Sequence, residues 1–170
     1  MRKIIFRGRT IIEEEFYNVC EFWQRKIIEN DTWVQGDLIW NNGFPYIVHG
    51  VIESNDEYIS LEWWIPVDPE TVGQYTGLDP ALVQDEKLVF DGDIVKITDH
   101  TIEETFKRCD ALVTMLMTRT YEVFWNVTKW SIKSLEPMLA VDPPIFDLPT
   151  KNVTYEIVGN IHDNPELLGV

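Results

Sequence analysis

Three histidines, two cysteines and a dense run of carboxylates are the groups in this 170-residue chain with chemistry to offer. His49, His100 and His162 stand singly, and Cys20 and Cys109 lie far apart without C-x-x-C spacing. Zinc sites and nucleophilic triads need such groups gathered at recognisable separations, so no catalytic residue, metal ligand or cofactor is assigned. Asp91-Gly92-Asp93, with Asp99, His100, Glu103 and Glu104 close behind, offers oxygen donors for a hard cation. Calcium-loop spacing is absent there, and turn chemistry on a solvated acidic face is the plainer reading. Gly73 and Gly77 flank Gln74, Tyr75 and Thr76. No Lys-Ser/Thr pair follows, which excludes a phosphate loop; the glycines suit a tight turn or a close backbone approach. Gln74, Tyr75 and Thr76 are the positions there that would touch a ligand or partner.

The charge surrounding these groups is uneven. Of a net −15, residues 31–105 supply −14, from sixteen acidic and two basic residues. A surface this acidic repels phosphate backbones, since nucleic-acid binding rests on Lys and Arg displacing counterions. Direct nucleic-acid binding is therefore disfavoured. Forty-five per cent hydrophobic residues and seven tryptophans place the chain among folded proteins with a sizeable core. The sparse cysteines fit reduced thiols, no apolar run has the length of a membrane span, and the basic start lacks a leader's apolar stretch. A cytoplasmic protein without membrane contact is expected.

Short strands punctuated by turn signals dominate the pattern, which predicts a mainly β, β-rich α+β protein. Ile4 to Arg9 is strand-like. Phe16, Val19, Cys20, Trp23 and Ile27 recur at helical spacing, with Glu13-Glu14-Glu15 before and Arg25-Lys26 after, so 13–29 is read as an amphipathic helix. An extended hairpin competes there, because aromatic and β-branched residues are dense. Strands follow at 33–40, 46–52, 58–65, 94–97, within 111–127 and at 153–158. Asn41-Asn42-Gly43 and Asp91-Gly92-Asp93 supply turns. Pro137, Pro143, Pro144 and Pro149 forbid a central strand over 136–149. The boundary between an N-terminal β-rich region, 1–80, and a C-terminal region, 81–170, is placed near residue 80.

Several separated segments together resemble the YopX family. They are Ile4-Ile5-Phe6-Arg7-Gly8-Arg9, Trp33-Val34-Gln35-Gly36-Asp37-Leu38-Ile39, Pro66-Val67-Asp68-Pro69-Glu70-Thr71-Val72-Gly73-Gln74-Tyr75-Thr76-Gly77-Leu78, Asp91-Gly92-Asp93-Ile94-Val95, and Val158-Gly159-Asn160-Ile161-His162-Asp163-Asn164-Pro165-Glu166-Leu167-Leu168. Two departures stand out: the bridge from Asp79 to Phe90 contains Pro80 and no glycine, and the stretch around 11–30 is longer than the usual link. The resemblance implies a phage or prophage origin, an SH3-like barrel in the C-terminal half and homo-oligomerisation. It implies no activity.

The expectation is thus a non-enzymatic accessory protein that self-associates and binds a host or phage protein. Phe22, Trp23, Ile27 and Ile28 give the 13–29 segment more apolar surface than one stripe needs; ordinary core packing is the plainer reading, and oligomer contact is the alternative. Leu167 and Leu168 pack either onto the chain's own body or onto a neighbouring subunit. A second functional expectation is an acidic mimic of nucleic acid that blocks a host DNA-binding defence protein, resting on the charge of 31–105.

Overall fold

The computed structural model describes residues 4–11, 28–29, 32–100, 118–135 and 145–168. The chain divides into two compact units, Met1–Tyr75 and Thr76–Val170. Both are built from antiparallel sheet, as the sequence pattern predicts.

The first unit carries strands β1 (Phe6–Arg9), β2 (Ile28–Glu29), β3 (Trp33–Asn41), β4 (Phe44–Ser54), β5 (Ile59–Pro66) and β6 (Gly73–Gln74). Their order is β5-β4-β3-β1-β6, with β2 also paired to β3. Asn42 and Gly43 both hold positive φ, 51° and 84°, so the β3–β4 hairpin closes in two residues with the twist the strands need. Val34, Ile47, Ile65 and Val67 form a buried cluster, flanked by Phe6, Leu38, Trp63 and Val72. Each such side chain removed from water contributes about 1.5–3 kcal/mol. Gly36 of the Trp33–Ile39 motif has a packing reason: a Cβ there would lie 2.4 Å from the Val48 carbonyl oxygen and 3.0 Å from Ile47 Cγ2.

One expectation changes in this unit. Ile28 and Glu29, expected to finish a helix, form strand β2 opposite Val34 and Trp33. A sheet neighbour already in place satisfies their backbone groups, and β-branched Ile28 suits a ladder better than a helix. Residues 13–27 of the expected helix lie outside the described residues.

The second unit carries β7 (Asp93–Asp99), β8 (Thr118–Asn126), β9 (Lys129–Ser134), β10 (Ile145–Asp147) and β11 (Val153–Asn160), in the order β10-β9-β8-β7-β11. Its core gathers Val89, Val95, Val123, Ile132, Val153 and Tyr155. The expected SH3-like barrel does not close among the described residues, since β10 and β11 stand at opposite ends of this sheet. β10 is three residues long and follows the proline-bearing stretch, so it serves as an edge and offers little ladder for closure. Two 3-10 turns, Pro69–Thr71 in the first unit and Pro80–Leu82 in the second, begin in the same way. Asp68 accepts the Glu70 N–H and Asp79 accepts the Ala81 N–H, each ahead of a proline that has no N–H to satisfy.

Candidate functional site

The residues that the sequence singles out for contact fall in dissimilar settings. Gln74 lies in β6 opposite Phe6, half-buried. Tyr75 is buried, and its N–H donates to the Ile5 carbonyl. Thr76, in the second unit, is buried too; its N–H donates to Val89 O, and its Oγ1 accepts the Leu78 N–H at 3.1 Å. Backbone and side chain alike shape the chain at Tyr75 and Thr76. Phe22, Trp23 and Ile27 lie outside the described residues, and Ile28 belongs to β2.

The carboxylates of the middle third separate into two kinds. Several hold backbone: besides the two turn caps, Asp93 is buried with Oδ2 accepting the Phe90 N–H at 2.8 Å, and Asp91 accepts the Trp125 N–H at 3.3 Å. Others are exposed, and Glu53, Asp56 and Glu57 crowd onto β4 and the turn that follows it, with Glu62 on β5. Among the described residues no three His, Cys, Asp or Glu side chains come together as metal ligands. Each histidine has its own task. His49 stacks on Trp63 with ring centroids 5.4 Å apart, His100 Nε2 meets Thr154 Oγ1 at 3.1 Å, and the His162 N–H donates to Asn160 Oδ1.

The C-terminal motif is likewise a backbone device. Asn160 Oδ1 accepts both the His162 and Asp163 N–H groups, while Asn164 Oδ1 accepts the Asn160 N–H. The Asn164 side chain lies so close over Gly159 that a Cβ there would meet its Oδ1 at 2.4 Å. The β7–β11 register shifts at this point, between Ile157 and Gly159.

A groove of about 440 Å³ opens on the second unit, where the Pro80–Leu82 turn and the residues just after it meet β7 and β11. Buried Val83 and Tyr155 form its floor, and Lys96, Thr98, Thr154 and Glu156 its rim. Lys96 and Glu156 pair across the strands at 3.6 Å. Burial pushes the Tyr155 phenol well above its ordinary pKa, so it stays protonated, with its hydroxyl donating to the Pro149 carbonyl.

The most distinctive surface is an aromatic face of the first sheet. Ile39 sits opposite Tyr46, Val48 sits opposite Trp64, and Phe44 precedes Tyr46 on the same side of β4. Tyr46 and Trp64 rings lie 5.2 Å apart, and Phe44 and Trp64 remain 59% and 58% exposed. Towards β1 the same face is covered, with Trp33 buried and the Arg7 guanidinium 4.6 Å above its ring. Sequence pattern missed this surface because β3 and β4 are apolar on both faces, so a period of two does not tell the covered side from the bare one.

β4 and β5 part from β3 at Asp37, where the remaining β3 residues, 33–36, pair with β1 and β2 instead. Beyond the Asp37–Val48 pair, β4 has only β5 as a partner among the described residues, through the pairs His49–Trp63, Val51–Leu61 and Ser54–Ile59. Every residue from Val51 to Ile59 is exposed. The closing turn is held by Asn55 Oδ1, which accepts the Glu57 and Tyr58 N–H groups.

No helix among the described residues is long and apolar enough to cross a membrane. The family model described as YopX protein matches residues 6–169. Neither the curated proteins nor the solved structures contain a match.

Proposed function

We propose, from the premise that the chain belongs to the YopX family, that it is a non-enzymatic phage or prophage accessory protein. In this reading it self-associates and binds a protein partner in the cytoplasm of the bacterial host. The observation that carries this reading is the bare aromatic face of β3, β4 and β5. Ile39, Phe44, Tyr46 and Trp64 form a contiguous apolar surface, and large aromatic side chains left in water are what a protein interface covers. A second copy offering the same face forms a two-fold contact.

The charge distribution favours this reading over mimicry of nucleic acid. Asp93 is buried, which removes it from any phosphate-like track, and Asp68, Asp79 and Asp91 sit in turns where one oxygen holds a backbone N–H. Size-exclusion chromatography with light scattering tests the assembly. A mass at least twice the 19.9 kDa chain is expected at micromolar concentration, falling to one chain for Phe44→Glu and Trp64→Glu. A monomeric parent protein overturns the self-association.

A further inference from the structure

The two-stranded arm formed by the outer parts of β4 and β5 has an unusual composition. An isolated two-stranded ribbon is marginal in water, yet this one exposes Val51, Ile52, Tyr58 and Ile59. On its core-lining side an apolar stripe continues out of the unit's buried cluster. Ile47 and Ile65 are buried, the stacked His49 and Trp63 are next, and Val51 and Leu61 follow. β5 ends the sheet, and apart from Pro66, whose carbonyl accepts the Ile11 N–H, its outer edge carries backbone groups that no other described strand pairs.

Charge says what fits there. The arm bears Glu53, Asp56, Glu57 and Glu62, and the sequence has no Lys or Arg between Lys26 and Lys87. A second copy would set one acidic arm against another. Phosphate backbones and anionic lipid surfaces are repelled in the same way. An extended protein segment that alternates basic and apolar residues matches all three features: its backbone completes the edge, its apolar side chains cover the stripe, and its cations meet the carboxylates.

We propose that the β4–β5 arm is a docking site for a basic, extended segment of a partner protein, which adds to the sheet as a strand beside β5. This rests on the protein-binding half of the reading above and names its site and the partner's chemistry; it does not depend on self-association.

The test uses the full chain and a synthetic peptide alternating lysine with valine. Glutamate–valine and lysine–serine peptides serve as controls, and binding is measured by calorimetry at low and high salt. The lysine–valine peptide is expected to bind, to weaken as salt rises, and to slow amide exchange along β5; the controls are expected not to bind. Glu53→Lys with Glu57→Lys should weaken binding about tenfold or more. Asp147→Lys with Glu156→Lys, an equal change of charge on the second unit, should leave it unchanged. Equal loss in both double variants, equal binding of the glutamate–valine peptide, or no protection of β5 overturns the proposal. Light scattering on the same samples separates the two readings. Phe44→Glu should bind peptide as a monomer, and Glu53→Lys with Glu57→Lys should assemble without binding it.

Discussion

Replacing Tyr155 with phenylalanine should destabilise the protein near neutral pH and cease to do so at alkaline pH. Tyr155 is 1% exposed at the centre of the second unit's core, and its hydroxyl donates to the Pro149 carbonyl. Removing that hydroxyl forfeits one hydrogen bond, worth about 1 kcal/mol near neutrality. Burial raises the phenol's pKa in the folded protein above its ordinary value of 10.0. The stability linked to this proton is therefore fully present below about pH 10 and is lost as pH rises beyond it, because the unfolded chain ionises first. By about pH 11 the loss is on the order of 1 kcal/mol, comparable with the hydrogen bond's contribution. Tyr155→Phe, which has no such proton, should thus unfold at lower urea than the parent at about pH 8 and at similar or slightly higher urea at about pH 11. Far-ultraviolet circular dichroism follows the unfolding, and tyrosinate absorbance should show a phenol signal present in the parent and missing from Tyr155→Phe that appears only as the fold opens. A stability difference that stays constant from about pH 8 to pH 11 would refute the argument.

Gly36→Ala should destabilise the first unit by about 1–3 kcal/mol, seen as a lower urea midpoint, because the added methyl meets the fixed Val48 carbonyl oxygen. Asp93→Ala leaves the buried Phe90 N–H without its carboxylate, at a loss of about 1–3 kcal/mol in the second unit. Ser131→Ala should be neutral or raise stability by up to about 1 kcal/mol, because Ser131 is fully buried and its Oγ finds no partner among the described residues. Thermal melts of the three variants side by side check both the order and the signs.

Strand structure was legible wherever local chemistry decides it. Asn42-Gly43 sets a two-residue turn by its tolerance of positive φ, and Asp91-Gly92-Asp93 does the same before β7. The 3-10 turns were not anticipated, although Asp68-Pro69 and Asp79-Pro80 carried the capping signal. Ile28 and Glu29 went to a strand because Trp33 and Val34 stand opposite them, a long-range condition that helical spacing does not encode. The barrel was an expectation of the resemblance alone, and the open order of the second sheet does not bear it out. For the site, sequence identified the acidic stretch without dividing it into backbone caps and an acidic arm. That division depends on which N–H groups the turns bring within reach.

The place of β1 has a consequence for how the chain is made. Its four residues pair on one side with 33–36 and on the other with 73–74, so β1 leaves the ribosome well before β6 and has no complete setting until β6 has emerged. The β3-β4-β5 meander, joined by short turns, forms early by comparison. The β1 edge that receives β6 is therefore the last seam of this sheet to close, and anything that delays residues 73–74 leaves it open during synthesis.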